Sequence, residues 1–120
     1  MRVEINLDEQ AIQSIVEISK AAAVDTMETV YADLVASQTM PFDTGDMQNN
    51  NTWVEPTEDG AVLITGSPQA RRLYYHPEYN FQRGKNHHAG AYWLEPYISG
   101  SKKDFIREKY SELFRRRFGL

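Results

Sequence analysis

Residues 8–37, which read DEQAIQSIVEISKAAAVDTMETVYADLVAS, decide the fold because they hold neither proline nor glycine over 30 positions. Apolar side chains recur along this stretch at spacings of three and four, which is the pattern of one helical face. They are Ile12, Ile15, Val16, Ala23, Met27, Val30, Tyr31, Leu34 and Val35. Asn6 or Asp8 can cap the start of such a helix. The sequence therefore predicts a helix from Asp8 to about Ser37.

This helix would be longer than a compact domain of this size is wide. At 1.5 Å per residue, 30 residues span about 45 Å, which exceeds the width of a compact domain of 120 residues. We therefore expect part of the helix to project, to kink or to pack on a neighbouring subunit. Its small residues Ala21, Ala22 and Ala23 let another backbone come close, either beneath a crowded core or at a subunit contact.

The residues before the helix alternate between apolar and polar side chains. Val3, Ile5 and Leu7 alternate with Arg2, Glu4 and Asn6. A period of two is typical of a strand with one buried face. The sequence therefore predicts a short N-terminal strand.

A turn and a hairpin follow the helix. Pro41 ends the helical pattern, and the segment 43–46 (DTGD) is typical of a turn in which Gly45 takes a positive φ. The β-type runs 53–55 and 61–65 are separated by a loop that ends in Asp-Gly, so they predict an antiparallel hairpin.

The C-terminal half contains a second helix and a long loop. Residues 69–75 are compatible with a short helix or another strand, whereas residues 76–90 predict a long ordered loop. Trp93, Leu94, Tyr97 and Ile98 are expected to return to the core. Ser101 and Asp104 resemble a capping box, so we expect a helix from Lys102 to about Phe118 with an apolar face of Phe105, Ile106, Tyr110, Leu113 and Phe114.

The predicted fold class is α+β in a single domain, residues 1–120. Its elements are an N-terminal strand and long helix, a small antiparallel sheet with a hairpin, and a C-terminal helix.

Composition limits the function classes. The net charge of −4 disfavours a protein that coats nucleic acid, and the absence of cysteine excludes disulfides and thiol catalysis. The chain has no long apolar run and no apolar leader at its N-terminus, so we expect neither membrane insertion nor export. Fourteen aromatic residues are dense between Trp53 and Tyr110, and such side chains suit cores and interfaces.

Catalytic patterns are weak. His76, Glu78, His87 and His88 are close in sequence, but adjacent histidines on an extended chain point to opposite sides. A nuclease would use His87 or His88 as base, with Asn86 and a carboxylate holding Mg²⁺ and Lys85 at the phosphate. No serine lies in a nucleophile-elbow pattern. The clusters Arg71-Arg72 and 115–117 (RRR) fit solvated helix ends, salt bridges between subunits or contact with DNA.

Several blocks from residue 40 onward resemble a known family. Residues 40–47 (MPFDTGDM) resemble the Pro-x-x-Thr-Gly-x-Leu segment after the first helix in minor capsid and neck proteins of long-tailed phages and prophages of Gram-positive bacteria. Residues 69–81 (QARRLYYHPEYNF), 84–86 (GKN), 89–90 (AG) and 93–96 (WLEP) are similar to that family's later blocks, in the same order. Gln69, Met47 and Leu94 depart from its usual residues, but these are core-like exchanges.

The resemblance implies a virion component between head and tail that is made in the bacterial host cytoplasm and is not an enzyme. It implies no catalytic residue, metal or cofactor. The implied partners are copies of the chain itself in a ring and other head-completion and tail proteins, with no sequence-specific nucleic acid and no membrane. The residues expected at the protein interface are Arg71, Arg72, Tyr74, Tyr75, Tyr79, Phe81 and Trp93.

Two other classes remain open from the sequence. One is a small phage-encoded metal-dependent enzyme that processes nucleic acid, and the other is an adaptor that binds a host protein. Location in purified particles, metal-dependent cleavage of DNA and capture of a host protein would distinguish the three.

Overall fold

A helix of 29 residues organises the chain, and both the hairpin and the C-terminal helix pack on it. The computed structural model describes residues 1–119. The elements are α1 (Glu9–Ser37), α2 (Asp46–Asn49), β1 (Thr52–Pro56), β2 (Ala61–Thr65), α3 (Ala70–Tyr74), α4 (Glu95–Ile98) and α5 (Phe105–Phe118). The predicted α+β class, long helix, hairpin and C-terminal helix are confirmed. None of these helices is long and apolar enough to cross a membrane.

Helix α1 begins and ends at local backbone signals. Asp8 is its N-cap, and the Asp8 Oδ1 atom accepts a hydrogen bond from the Ala11 amide at 3.0 Å. The helix ends where Gln38 adopts the left-handed conformation with φ of 56°, before Pro41. Asp8 rather than Asn6 therefore caps the helix.

The predicted N-terminal strand is wrong. Residues 1–8 have no regular secondary structure, and Val3, Ile5 and Leu7 are 93%, 82% and 71% exposed. A strand needs a neighbouring strand to satisfy its backbone groups. The only sheet in residues 1–119 is the β1–β2 hairpin, and it lies along the later part of α1.

The loop of the hairpin lies against the alanine-rich part of α1. Its antiparallel register pairs Thr52 with Thr65 and Pro56 with Ala61. A Cβ atom added to Gly60 in the hairpin loop would lie 3.7 Å from the Ala23 Cβ atom, and Ala22 is fully buried. The small side chains of α1 thus permit close packing within the chain itself.

The core lies between the C-terminal half of α1 and the segments that return to it. The buried apolar cluster is Val30, Leu34, Met40, Met47, Ala70, Trp93 and Tyr97. Leu94 packs against this cluster, whereas Ile98 is 67% exposed, so its expected place in the core is wrong. The reason is that residues 95–98 form the short helix α4, which turns Tyr97 inward and Ile98 outward.

Helix α5 begins three residues later than predicted. Residues 101–104 form turns, and the Asp104 side chain makes no capping hydrogen bond, so the expected capping box is absent. At the other end Arg117 donates to both carboxylate oxygens of Asp25 at 2.5 and 3.1 Å. This pair joins the end of α5 to the middle of α1.

The first turns of α1 project beyond the packed body. Residues 9–17 are exposed, and the molecule measures 73 × 26 × 25 Å. Ile12, Ile15 and Val16 lie on this free half of the helix with more than a third of their surface in solvent. Of the three possibilities that the sequence left open, projection is the one that the isolated chain adopts.

The carboxylate of Asp33 joins α1 to the segment between α4 and α5. Its Oδ2 atom accepts hydrogen bonds from Tyr97 Oη at 2.5 Å and Lys102 Nζ at 2.7 Å. Burial raises the pKa of Asp33, but the two hydrogen bonds and the charge of Lys102 outweigh it, so the pKa lies below its ordinary 3.8. Burial and the bond to Asp33 raise the pKa of Tyr97.

We predict that Asp33→Asn lowers the free energy of unfolding by about 1 kcal/mol at pH 7, because it removes the charge that both donors face. Because the pKa of Asp33 is lower in the folded state than in the unfolded state, its charged carboxylate stabilises the protein above pH 3.8. This stabilisation is lost as the pH falls through the folded-state pKa. Denaturant unfolding should therefore show the difference shrinking in acid. Glu28→Gln, an exposed neutralisation on the same helix, is the control. A difference that stays constant with pH would contradict this account.

We predict that Gly45→Ala destabilises the protein by more than about 1 kcal/mol, because Gly45 has φ of +88° and an added Cβ would lie 2.7 Å from the Phe42 ring. Gly84→Ala is the matched control, since no atom lies within 4 Å of its added Cβ. Thermal unfolding of both variants measures the difference. Equal melting temperatures would show that the strain at Gly45 is absent.

Candidate functional site

Tyr74 lies at the centre of an aromatic cluster. Its ring meets those of Tyr75, Tyr92 and Trp93 edge to face, with centroids 5.1, 5.7 and 4.8 Å away. This geometry is favourable for aromatic pairs. The cluster joins the end of α3 to the segment before α4, which follows it by about twenty residues.

The backbone also joins these two segments. The Tyr92 amide donates to the Tyr74 carbonyl at 3.1 Å, and Tyr92 has a positive φ of 54°. Bulky residues rarely adopt this conformation, so the surrounding contacts hold it in place. The result is that Trp93 points into the core while Tyr92 remains at the surface.

The cluster exposes an apolar surface, which we call the aromatic surface and define as Tyr75, Tyr79, Tyr92 and Ile98. Tyr75 is 60% exposed and Ile98 67% exposed, and Tyr79 and Tyr92 are also exposed. Tyr75 and Ile98 line one open groove beside the buried Trp93. Large apolar side chains grouped in solvent are typical of a protein-binding surface.

The hydroxyl of Tyr74 is held by a carboxylate. Its hydroxyl donates to Glu95 Oε1 at 3.4 Å. Burial and the negative charge of Glu95 raise the pKa of Tyr74 to about 12. The phenol keeps its proton and donates the hydrogen bond to Glu95 that orients the ring.

Tyr79 extends the surface through His76 and Arg72. The rings of His76 and Tyr79 stack with centroids 4.7 Å apart, and the Arg72 guanidinium lies 6.0 Å from the Tyr79 ring. His76 Nδ1 lies 2.7 Å from Glu78 Oε1, and this bond lowers the pKa of Glu78. The edge of the aromatic surface therefore carries charges of both signs.

Asn86 holds the long loop against the end of α1. Its buried amide donates to the Met40 carbonyl at 2.8 Å and to Gln48 Oε1 at 2.7 Å. The His88 and Gly90 amides donate to backbone carbonyls at Gln38 and Thr39, each at 3.1 Å. Residues 76–90 contain no helix or strand, as predicted, and these bonds keep them ordered.

The structure divides the predicted interface residues into three groups. Arg71, Arg72, Tyr75 and Tyr79 are exposed, and Tyr74 is half-buried at the centre of the cluster. Phe81 is half-buried in a different groove, which it lines with Phe42 and Leu73. Trp93 is 3% exposed and belongs to the core of the isolated chain.

Sequence reasoning missed two members of the aromatic surface and the residue that supports it. Tyr92 and Ile98 were not predicted at an interface, because their orientation depends on the positive φ at Tyr92 and on the short helix α4. Asn86 was predicted as a possible ligand for Mg²⁺ and as part of the block 84–86, and neither assignment indicates a buried amide that holds the loop. A buried amide cannot be told from an exposed one by residue type.

The candidates for catalysis do not converge. His76 bonds to Glu78, whereas His87 Nδ1 lies 3.2 Å from the Arg83 carbonyl. Within residues 1–119, no three side chains of His, Asp or Glu are grouped so that they could hold a metal ion. The cluster Arg115–Arg117 contributes Arg116 to a salt bridge with Glu112 and Arg117 to the pair with Asp25.

Comparisons with protein families, with curated proteins and with solved structures gave no match to this chain.

We predict that Asn86→Ala lowers the free energy of unfolding by about 2 kcal/mol, because it leaves two buried acceptors without a donor. Hydrogen exchange at the His88 and Gly90 amides should accelerate more than exchange within α1. Asn80→Ala, an exposed change in the same loop, is the control and should leave both quantities unchanged. Unaltered exchange in Asn86→Ala would mean that other contacts hold the loop.

Proposed function

We propose that this chain is a structural component of a tailed-phage virion, a minor capsid or neck protein that joins head and tail by assembling into a ring. The observation that carries the proposal is the aromatic surface. Two of its four residues, Tyr75 and Tyr79, belong to residues 69–81, a block that resembles the family of phage neck and minor capsid proteins, and Tyr92 and Ile98 lie on either side of the block 93–96. The proposal assigns no catalytic step to the chain.

Two of those blocks meet in space although they are separated in sequence. Tyr74 and Tyr75 belong to residues 69–81, and Trp93 belongs to residues 93–96. The contact between Tyr74 and Trp93 and the hydrogen bond from Tyr92 to Tyr74 bring the blocks together. The two blocks therefore pack as one cluster, with Trp93 in the core and Tyr75 at the surface, which supports a common role.

The chemistry of the surface favours binding to protein. Tyrosine rings give a large contact area with little loss of side-chain freedom, and such residues are enriched at the centres of interfaces. Arg71 and Arg72 lie beside them in solvent and can pair with carboxylates at the rim of a contact. The groove is open rather than deep, so it suits a protruding side chain of a partner more than an enclosed substrate.

A ring follows if the aromatic surface binds a different part of the next copy. Such a head-to-tail contact repeats around an axis and closes when the rotation allows it. The elongated molecule carries further apolar side chains at the free end of α1, remote from the aromatic surface. Two separate apolar regions on one chain are what a head-to-tail arrangement needs.

We predict that Tyr75→Ala combined with Ile98→Ala leaves a folded chain that enters phage particles at least tenfold less than the unaltered chain. Both side chains are mostly in solvent, so little packing is lost within the chain. Phe118→Ala, an exposed apolar change at the end of α5, is the control. Quantitative mass spectrometry of purified particles and thermal unfolding of the purified variants measure incorporation and folding.

Normal incorporation of the folded double variant would contradict the assignment of the aromatic surface as an interface. Absence of the unaltered chain from purified particles would contradict the virion role itself. Unfolding of the double variant would show instead that Tyr75 or Ile98 supports the core.

A further inference from the structure

The N-terminal arm, residues 1–7, has no regular secondary structure and is exposed to solvent along its length. Val3, Ile5 and Leu7 expose most of their surface, and they alternate with polar residues. Each of these side chains would gain free energy by leaving water. A segment with this alternation can add in an extended conformation to the edge of a sheet.

The hairpin offers such an edge on β2. The amides of Gly66 and Thr57 donate to the carbonyls of Asn51 and Gly60, which marks these as hydrogen-bonded pairs. Because such pairs alternate along an antiparallel ladder, the backbone groups of Ala61, Leu63 and Thr65 point away from β1. Within residues 1–119, these outward groups make no backbone hydrogen bond to another segment.

The outer edge of β1 is a less suitable site for an added strand. Pro56 stands at one of its outward positions and has no N–H to donate. Strand β2 contains no proline over its five residues. On the inner side of β2, Leu63 packs against the core, so a strand added beside it has an apolar layer on one face.

Residues 1–7 cannot reach along β2 of their own chain. The hairpin loop lies at Ala23, since Gly60 is close to it. The strands run from there toward the C-terminal part of α1, where the Tyr31 hydroxyl donates to the carbonyl of Gln48, shortly before β1. The 15 helical residues from Glu9 to Ala23 span about 22 Å, and seven extended residues span at most about 25 Å. An arm folded back on its own helix would reach the loop but could not run along Ala61–Thr65.

We propose that the N-terminal arm of one copy of this chain pairs as a third strand with the outer edge of β2 in a second copy. This pairing would supply one of the contacts between neighbouring copies in the proposed ring. The inference rests on the proposed function, because that function is what requires the chain to self-assemble. The arm and the β2 edge are different regions, so the contact is head to tail and can close a ring. The apolar face of the arm turns toward the core side of the hairpin, and Arg2, Glu4 and Asn6 face outward beside Val62.

Disulfide trapping tests the pairing directly, because the chain has no cysteine of its own. One chain carries Asn6→Cys or Glu4→Cys and a second carries Val62→Cys, and the two are mixed in solution and in assembled particles. We expect a disulfide-linked dimer, because these positions share the outer face of the proposed sheet. Ile5→Cys with Val62→Cys is the matched control and should give little dimer, because the two positions lie on opposite faces.

A second pair of variants tests the energetics. Ile5→Asp should weaken self-association by about tenfold or more, because a carboxylate replaces a buried apolar group. Asn6→Asp adds the same charge on the outer face and should change association little. Neither position is packed in the isolated chain, so neither variant should alter the melting temperature.

Absence of the mixed dimer both in solution and in particles would overturn the arm pairing. If the chain were nevertheless present in particles and excluded by Tyr75→Ala with Ile98→Ala, the proposed function would stand without the arm. If the mixed dimer formed in solution but the chain were absent from particles, the pairing would stand and the virion role would fail.

Discussion

The two hydrogen bonds of the buried Asn86 amide are the constraint on which the architecture of the C-terminal half depends. They join the exit of α1 at Met40, the short helix α2 at Gln48 and the long loop. Together with the bonds from the His88 and Gly90 amides to the Gln38 and Thr39 carbonyls, they hold residues 76–90, which contain no helix or strand. With them, the loop delivers Tyr92 and Trp93 to the side of Tyr74, and the aromatic surface follows.

The chain combines a tightly packed body with an N-terminal end, residues 1–17, that is exposed to solvent. From Ala22 onward, α1 is covered by the hairpin and α5. Before that point, the helix and the arm hold several large apolar side chains in water, which is unfavourable for an isolated molecule. A protein that works by assembly resolves this conflict, because its neighbours complete the burial. In the proposed assembly, the aromatic surface and the arm are the two separate regions that neighbours would bury.

Local sequence signals predicted the elements with strong periodicity. The long helix, the hairpin and the C-terminal helix each carry a repeat of hydrophobic spacing or a turn residue that needs no tertiary information. The failures have one cause, which is that neighbours decide the outcome. The alternation of Val3, Ile5 and Leu7 is a strand pattern without a strand beside it, and Ile98 is turned outward by α4. Likewise, the roles of Asn86 and Asp33 depend on partners 46 and 69 residues away in sequence.

The most direct test of the account is electron cryomicroscopy of purified particles that carry this chain. The account predicts a ring of density between head and tail into which residues 1–119 fit, with the aromatic surface of each copy covered by its neighbour. A ring in which Tyr75 and Ile98 face solvent, or particles with complete necks and no density for this chain, would contradict it.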